Sequence, residues 1–203
     1  MTDQVHDAVH PLGLTVRQEV GRKLIHLLGL SLPLAYVTLG RNAAILLMLV
    51  GCVVIVGADV ARLFWSPAQV FYDHLFGKLT RKREERRLTG ASVLMLGQTA
   101  TALVFPPSVV PVAMTFGVLG DVAAAVVGRR FGHVHWCQGK SVAGSLACLV
   151  ASFFGGLIWC TLPPVVVLAG AFAAALAEGF LVALDDNLTI PLLSGLVMWA
   201  LVA

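Results

Sequence analysis

Apolar residues run along this chain in long blocks separated by short polar breaks. A helix needs about 20 mostly apolar residues to cross the roughly 30 Å hydrocarbon layer of a bilayer. Six stretches meet or approach that length: 24–40, 43–65, 90–105, 107–128, 142–162 and 164–184. A seventh, from Ile190 to Ala203, would make about 21 Å of helix, enough to cross only a thin bilayer. Turn signals at Gly40-Arg41-Asn42, Pro106-Pro107 and Pro163-Pro164 mark short connections, and 66–89, 129–141 and 185–189 are polar. The pattern predicts an all-α integral membrane protein of about seven transmembrane helices. No internal repeat or linker divides residues 1–203, so the expectation is a single membrane-embedded domain.

Composition agrees. Apolar residues make up 58% of the chain and charged residues 12%, against about 25% charged in an average soluble domain. So few charges cannot coat a globule of this size, which excludes a soluble enzyme, a nucleic-acid binder and a disordered tail. All of the 14 Lys and Arg residues except Arg41 fall before the first apolar block, around 62–87, or in 129–141. By the positive-inside rule these segments are cytoplasmic, giving a cytoplasmic N-terminus and a C-terminus outside. In a prokaryote this would be a multi-pass protein of the plasma (inner) membrane with its polar site facing the cytoplasm. The opening MTDQVHDAVH holds two acids and no basic residue. It resembles neither a signal nor a transit peptide, so the first apolar block is expected to stay as an anchor. The cysteines lack a CxxC pairing, and Cys52, Cys148 and Cys160 lie in apolar runs, where they read as small core hydrophobes.

Segment 66–89 has its own period. Phe71, Leu75 and Leu79 recur every fourth residue, with Val70 beside them, and a basic run over 81–87 follows. That fits a helix lying on anionic lipid as well as a solvated loop that only sets topology.

Carboxylates inside apolar blocks are expensive and mark either function or a buried pair. Asp59, Asp121 and Glu178 are of this kind, and Asp185 and Asp186 close the sixth block. Asp59 has Arg62 one turn away, which suits a pair locking helices together. Glu178 and Asp185 are two turns apart and would share a helix face. Asp185-Asp186-Asn187 offers three hard oxygen ligands at a water boundary, a set suited to Mg²⁺. The loop 128–145 is glycine-rich and basic and contains Gly139-Lys140-Ser141, followed by Gly144 and Ser145. It is not a Walker loop, because Val134 stands where that motif requires glycine. A basic loop leading into a helix N-terminus nevertheless suits phosphate. His133, His135 and Cys137 alternate there without a fourth ligand, too few for zinc. Gly117, Gly120, Ala124 and Gly128 make a small-residue face that lets another helix approach Asp121.

Taken in order, these pieces resemble the membrane-embedded polyprenol, phytol and diacylglycerol kinases, relatives of dolichol kinase and phosphatidate cytidylyltransferase. The resemblance rests on Glu19-x-x-Arg22-Lys23-x-x-His26, Ala58-Asp59-x-x-Arg62, Glu84 with Leu88-Thr89-Gly90, and Gly120-Asp121. It continues through Gly128-Arg129-x-x-Gly132, Lys140-Ser141-x-x-Gly144-Ser145 and Asp185-Asp186-Asn187-Leu188-Thr189-Ile190-Pro191. Ala143 stands where dolichol kinases tend to carry Glu, which draws the chain toward the phytol and diacylglycerol branch.

The resemblance implies a kinase that moves the terminal phosphate of a nucleotide, usually CTP with ATP the alternative, onto a lipid alcohol at the cytoplasmic interface. Phosphoryl transfer is mostly positioning and charge neutralisation. Arg129, Gly139, Lys140, Ser141, Gly144 and Ser145 are therefore assigned to the nucleotide. Asp121, Glu178, Asp185, Asp186 and Asn187 are assigned to Mg²⁺, with Asp121 also the candidate base. Arg22, Lys23, His26, Asp59, Arg62 and Glu84 are further candidates. The partners implied are the lipid alcohol, the nucleotide and membrane lipid, with room for a homo-oligomer. Two rivals are a CTP-dependent cytidylyltransferase acting on a lipid phosphate, and a small transporter relaying ions through Asp59, Asp121 and Glu178.

Overall fold

The structure is a computed structural model that describes residues 16–77, 84, 87–137, 139–181 and 184–203. Among these it is almost entirely helical. Helix α1 (Val16–Leu27) runs through a short 3₁₀ turn into α2 (Ser31–Leu39). Gly40, at φ +80°, makes the corner into α3 (Arg41–Phe64), a conformation that glycine adopts without a Cβ penalty. Helix α4 (Ser66–Phe76) follows at once, and α5 (Gly90–Val104) begins after the basic segment. Next come α6 (Val110–Thr115), a π turn (Phe116–Gly120) and α7 (Asp121–Phe131), which together form one 22-residue helical run. A small antiparallel hairpin, β1 (His135–Cys137) with β2 (Lys140–Ser141), leads into α8 (Val142–Leu157), α9 (Pro164–Phe180) and α10 (Asp186–Val202).

Two helical runs, Arg41–Phe64 and Val110–Phe131, are long and apolar enough to cross a membrane by length and composition, and four shorter apolar helices accompany them. The two long runs are placed differently. The α6–π–α7 run is mostly buried: Val112, Met114, Phe116 and Val118 are fully enclosed by neighbouring helices. Helix α3 turns Leu46, Val53, Val54 and Val60 outward. Exposed apolar side chains cover the outside of the other helices too, among them Leu103, Phe154, Val165 and Phe172. A continuous apolar exterior of this kind belongs against lipid.

Helix starts follow ordinary capping. The Thr89 hydroxyl accepts from Ser92 N, the Ser141 hydroxyl from Gly144 N, and the Asp185 carboxylate from Asn187 N, each satisfying a donor that the first turn leaves free. The cap at Asp185 corrects the seventh apolar block. Its helix starts at Asp186, four residues before Ile190, so it has 17 residues and about 25 Å of length. The same cap separates Glu178 from Asp185. Helix α9 ends at Phe180, so the two carboxylates do not share a helix face as their spacing suggested. Of the cysteines, Cys148 is buried as expected, Cys52 is half-buried, and Cys160 is exposed in a turn at φ +52°. The segment after α7 also differs from a plain loop, because the hairpin with Gly139 at φ +85° fixes Lys140 at the mouth of α8.

Glycine sets how closely the helices approach. The expected small-residue face is packed: Gly117 lies on Pro191, Gly120 on Cys148 and Ser152, and Gly128 on Ser141 and Gly144. Gly97 does the same for α5 and α10. Pro191 has no N–H to donate to the carbonyl of Asn187 four residues back, and a Cβ on Gly97 would collide with that carbonyl. Gly97→Val is therefore expected to destabilise the protein by about 1–3 kcal/mol through overpacking. Gly57→Ala, in open space on α3, should be neutral or stabilising by up to about 1 kcal/mol. Thermal unfolding in detergent checks both, and an unchanged midpoint for Gly97→Val would show that α5 and α10 pack otherwise.

Candidate active site

The polar residues gather where α1, α7, α8, α9, α10 and the hairpin meet. At the centre is Lys140, delivered by β2. Its ammonium donates to Asp186 Oδ2 at 2.6 Å and to Glu178 Oε1 at 3.0 Å. The other Glu178 oxygen accepts from the Ser145 hydroxyl at 2.6 Å. Three helices and a strand thus converge on two carboxylates and one cation. Gly179 lets them do so, since a Cβ there would press on Ser145 and Trp136. Trp136 in turn packs against Phe180 with ring centroids 5.1 Å apart, closing one side.

A second group lies beside the first. The π turn delivers Asp121 at the start of α7, and such turns recur at functional sites. Lys23 donates to Asp121 Oδ2 at 2.5 Å. His26 Nε2 stands 3.3 Å from the same oxygen but is not aligned to hydrogen-bond it. Depth differs between the groups: the Lys140 and Asp186 side chains are 22% and 21% exposed, whereas Asp121 is 11% and Glu178 5% exposed. The site therefore opens at Lys140 and Asp186 and deepens toward Asp121 and Glu178.

Charge balance here is tight, because one ammonium serves two carboxylates. Burial works against the positive charge of Lys140, but Asp186 and Glu178 outweigh it and hold its pKa above the ordinary lysine value.

A third group braces the site from outside. Arg22 makes a two-pronged bond to Glu84 at 2.6 and 2.8 Å. Asp59 takes Arg62 Nε on one oxygen, and Thr89 N, the Thr89 hydroxyl and the Ser92 hydroxyl on the other. Arg62 also donates to the carbonyls of Glu84 and Arg87 at 2.8 Å each. Asp59 and Arg62 thus clasp the end of α3 to the start of α5, the helix-locking alternative for that pair. Asn187 reaches the same junction, donating to Asp185 Oδ1 and to Gly90 O, while its buried Oδ1 has no hydrogen-bond partner.

The sequence assignments separate on this geometry. Lys140, Ser145, Glu178 and Asp186 are brought together, as are Lys23, His26 and Asp121. Arg129 lies exposed in the last turn of α7, Gly139 forms the hairpin turn, and Ser141 and Gly144 satisfy each other as a helix cap. The Asp185-Asp186-Asn187 triplet does not converge as three metal ligands: Asp185 caps α10, Asp186 turns to Lys140, and the Asn187 oxygen is buried. Among the described residues no three His, Cys, Asp or Glu side chains form a ready metal cluster. The carboxylates that open to Lys140 and Lys23 suit a cation arriving with phosphates, which needs only one or two protein carboxylates. Leu79 and most of the basic run at 78–86 lie outside the described residues. Ser92, Trp136, Gly97 and the π turn carry no sequence signal that singles them out. Thr89 stands out in the sequence only within Leu88-Thr89-Gly90.

No family model matches the chain, and no solved structure matches it. Curated relatives do. The CTP-dependent diacylglycerol kinase of Eremothecium gossypii is 32% identical over 77% of this chain, the match spanning 58% of that protein. The kinase of the same name from Schizosaccharomyces pombe is 27% identical over 90% of this chain and 93% of its own length. An uncharacterised protein of Rickettsia prowazekii is 29% identical over 86% of this chain and 90% of its own. The diacylglycerol kinases among these relatives support the lipid kinase family whose motifs the chain carries.

Lys140→Ala should strip the opening of its shared cation and leave Glu178 and Asp186 facing each other. Loss of a charge-assisted contact of about 1.5–3 kcal/mol corresponds to a roughly ten- to hundredfold loss of activity. Lys140→Arg should recover only part, because a planar fork replaces a point charge. Kinase assays of both variants, with monodispersity in detergent as the folding control, check this; full activity in Lys140→Ala would make the residue merely topogenic.

Proposed function

We propose that this protein is a CTP-dependent kinase of a membrane lipid alcohol. The observation that carries the reading is the Lys140 ammonium held between Asp186 and Glu178 at the open end of a carboxylate-lined site, with Asp121 deeper among apolar helices. The names of the relatives support CTP as donor and make diacylglycerol the first acceptor to test, ahead of phytol or polyprenol. The apolar blocks support about seven crossings, and the charge asymmetry of the sequence supports a cytoplasmic N-terminus and a site that receives its nucleotide from the cytoplasm.

In this reading Lys140 meets the nucleotide phosphates, with Arg129 at the rim. Glu178, tied to Ser145, holds the ammonium in place rather than a metal. Asp121 and Asp186 would hold a magnesium ion carried with the nucleotide, which supplies neutralisation of phosphate charge. The lipid hydroxyl enters from the bilayer side, where its chain stays among apolar side chains. Asp121, released from Lys23, accepts the hydroxyl proton while the oxygen attacks the terminal phosphorus. The bond from that phosphorus to the bridging oxygen breaks, leaving a lipid phosphate and CDP. Positioning and charge neutralisation supply most of the rate in such transfers.

The test is a magnesium titration of the kinase rate, with a panel of lipid alcohols and either CTP or ATP. Asp121→Asn should be inactive at every magnesium concentration, because it removes both the base and a charged ligand. Asp186→Asn should raise the magnesium requirement and keep measurable activity at high metal, since Asp121 still supplies a carboxylate. Rescue of Asp121→Asn by excess magnesium would reverse the two assignments. Pyrophosphate release in place of CDP would favour a cytidylyltransferase.

A further inference from the structure

We propose that α4 lies in the plane of the membrane face, with Pro67, Phe71 and Leu75 set into the acyl boundary of an anionic leaflet. This rests on the membrane reading of the chain. Helix α3 has 24 residues, about 36 Å, which exceeds the roughly 30 Å hydrocarbon layer, so its end falls at the boundary. There the backbone leaves the helical region at Trp65 (φ −131°, ψ 108°), and α4 begins immediately. Trp65 is 63% exposed, and an exposed tryptophan at the end of a spanning helix is typical of the interface.

None of the α4 side chains is buried. One flank is half-buried at Ala68 and Tyr72, with Tyr72 beneath the Arg62 guanidinium at 4.7 Å. At 3.6 residues per turn, Pro67, Phe71 and Leu75 form a separate stripe, and Gln69 and Asp73 lie nearly opposite. Phe71 is 67% and Leu75 53% exposed. A helix with one flank on the protein, an apolar stripe and an opposed polar stripe satisfies all three only along a lipid–water boundary.

Charge selects the occupant. Six Lys or Arg residues lie between 78 and 87 against two acids, Glu84 and Glu85, and Glu84 is already taken by Arg22. A cationic run immediately after an interfacial helix favours anionic headgroups, whereas a second copy of this chain would bring the same positive charge. The contact also reaches the site. Tyr72 supports Arg62, and Arg62 holds the Glu84 and Arg87 carbonyls beside Arg22.

The test uses full-length protein with Cys52, Cys137, Cys148 and Cys160 replaced by Ala, and a single new thiol from Val53→Cys, Phe71→Cys or Asp73→Cys. Each is labelled with an environment-sensitive fluorophore and reconstituted in phosphatidylcholine vesicles with or without phosphatidylglycerol. The Phe71→Cys probe should be blue-shifted and quenched by spin-labelled lipid, more strongly with phosphatidylglycerol, while the Asp73→Cys probe stays water-like. Quenching at Val53→Cys with a water-like Phe71→Cys probe overturns the proposal and leaves the membrane reading standing. No quenching at either position overturns both. Equal quenching with and without phosphatidylglycerol overturns the anionic assignment. A shielded Phe71→Cys probe that resists lipid quenching and cross-links between copies assigns the face to a dimer instead.

Discussion

A single ammonium shared by two carboxylates is the constraint around which the rest of this molecule is arranged. Lys140 between Asp186 and Glu178 is a charged group set among apolar helices, where removing the ammonium leaves two carboxylates uncompensated. Keeping the three together requires the hairpin to deliver Lys140, α9 to end just after Glu178, and α10 to start at Asp186. Each of those boundaries is fixed by something small: a left-handed glycine at 139, close approach at Gly179, and the Asp185 cap. The arrangement leaves two carboxylates with one cation. That is a poor solution for a purely structural lock and a workable one for a site that takes up further positive charge together with phosphates.

The small-residue contacts follow from the same need. Helices without much hydrophobic drive between them in lipid associate by close packing, and here glycines let α7 meet α8 and α5 meet α10 at backbone distance. The charged clasp of Asp59, Arg62, Thr89 and Ser92 closes the periphery. With Arg22 held by Glu84, its neighbour Lys23 is directed at Asp121. Bracing and chemistry are therefore carried by adjacent residues of one helix.

Much of this was legible in the sequence, because burying charge is costly enough to mark the residues involved. The apolar blocks anticipated most of the helices, although the first begins at Val16 and not near 24, and two of the acids inside the blocks, Asp121 and Glu178, are those paired with Lys23 and Lys140. What remained hidden depends on three-dimensional pairing. Periodicity placed Glu178 and Asp185 on one helix face, and the end of α9 at Phe180 separates them. Adjacent aspartates read as a ligand set, but one of them was needed to cap a helix. The hairpin around Gly139 and the π turn before Asp121 are departures from regular period, and hydrophobic pattern does not encode them.

In the proposed reaction this constellation transfers the terminal phosphate of CTP to a lipid hydroxyl. The most direct measurement follows two labels in parallel, incubating purified protein and diacylglycerol-containing vesicles with γ-labelled or α-labelled CTP and separating the lipids. A kinase of this kind leaves label in the lipid from the γ position alone, appearing together with CDP. Label entering the lipid from the α position, or none from either, would contradict it.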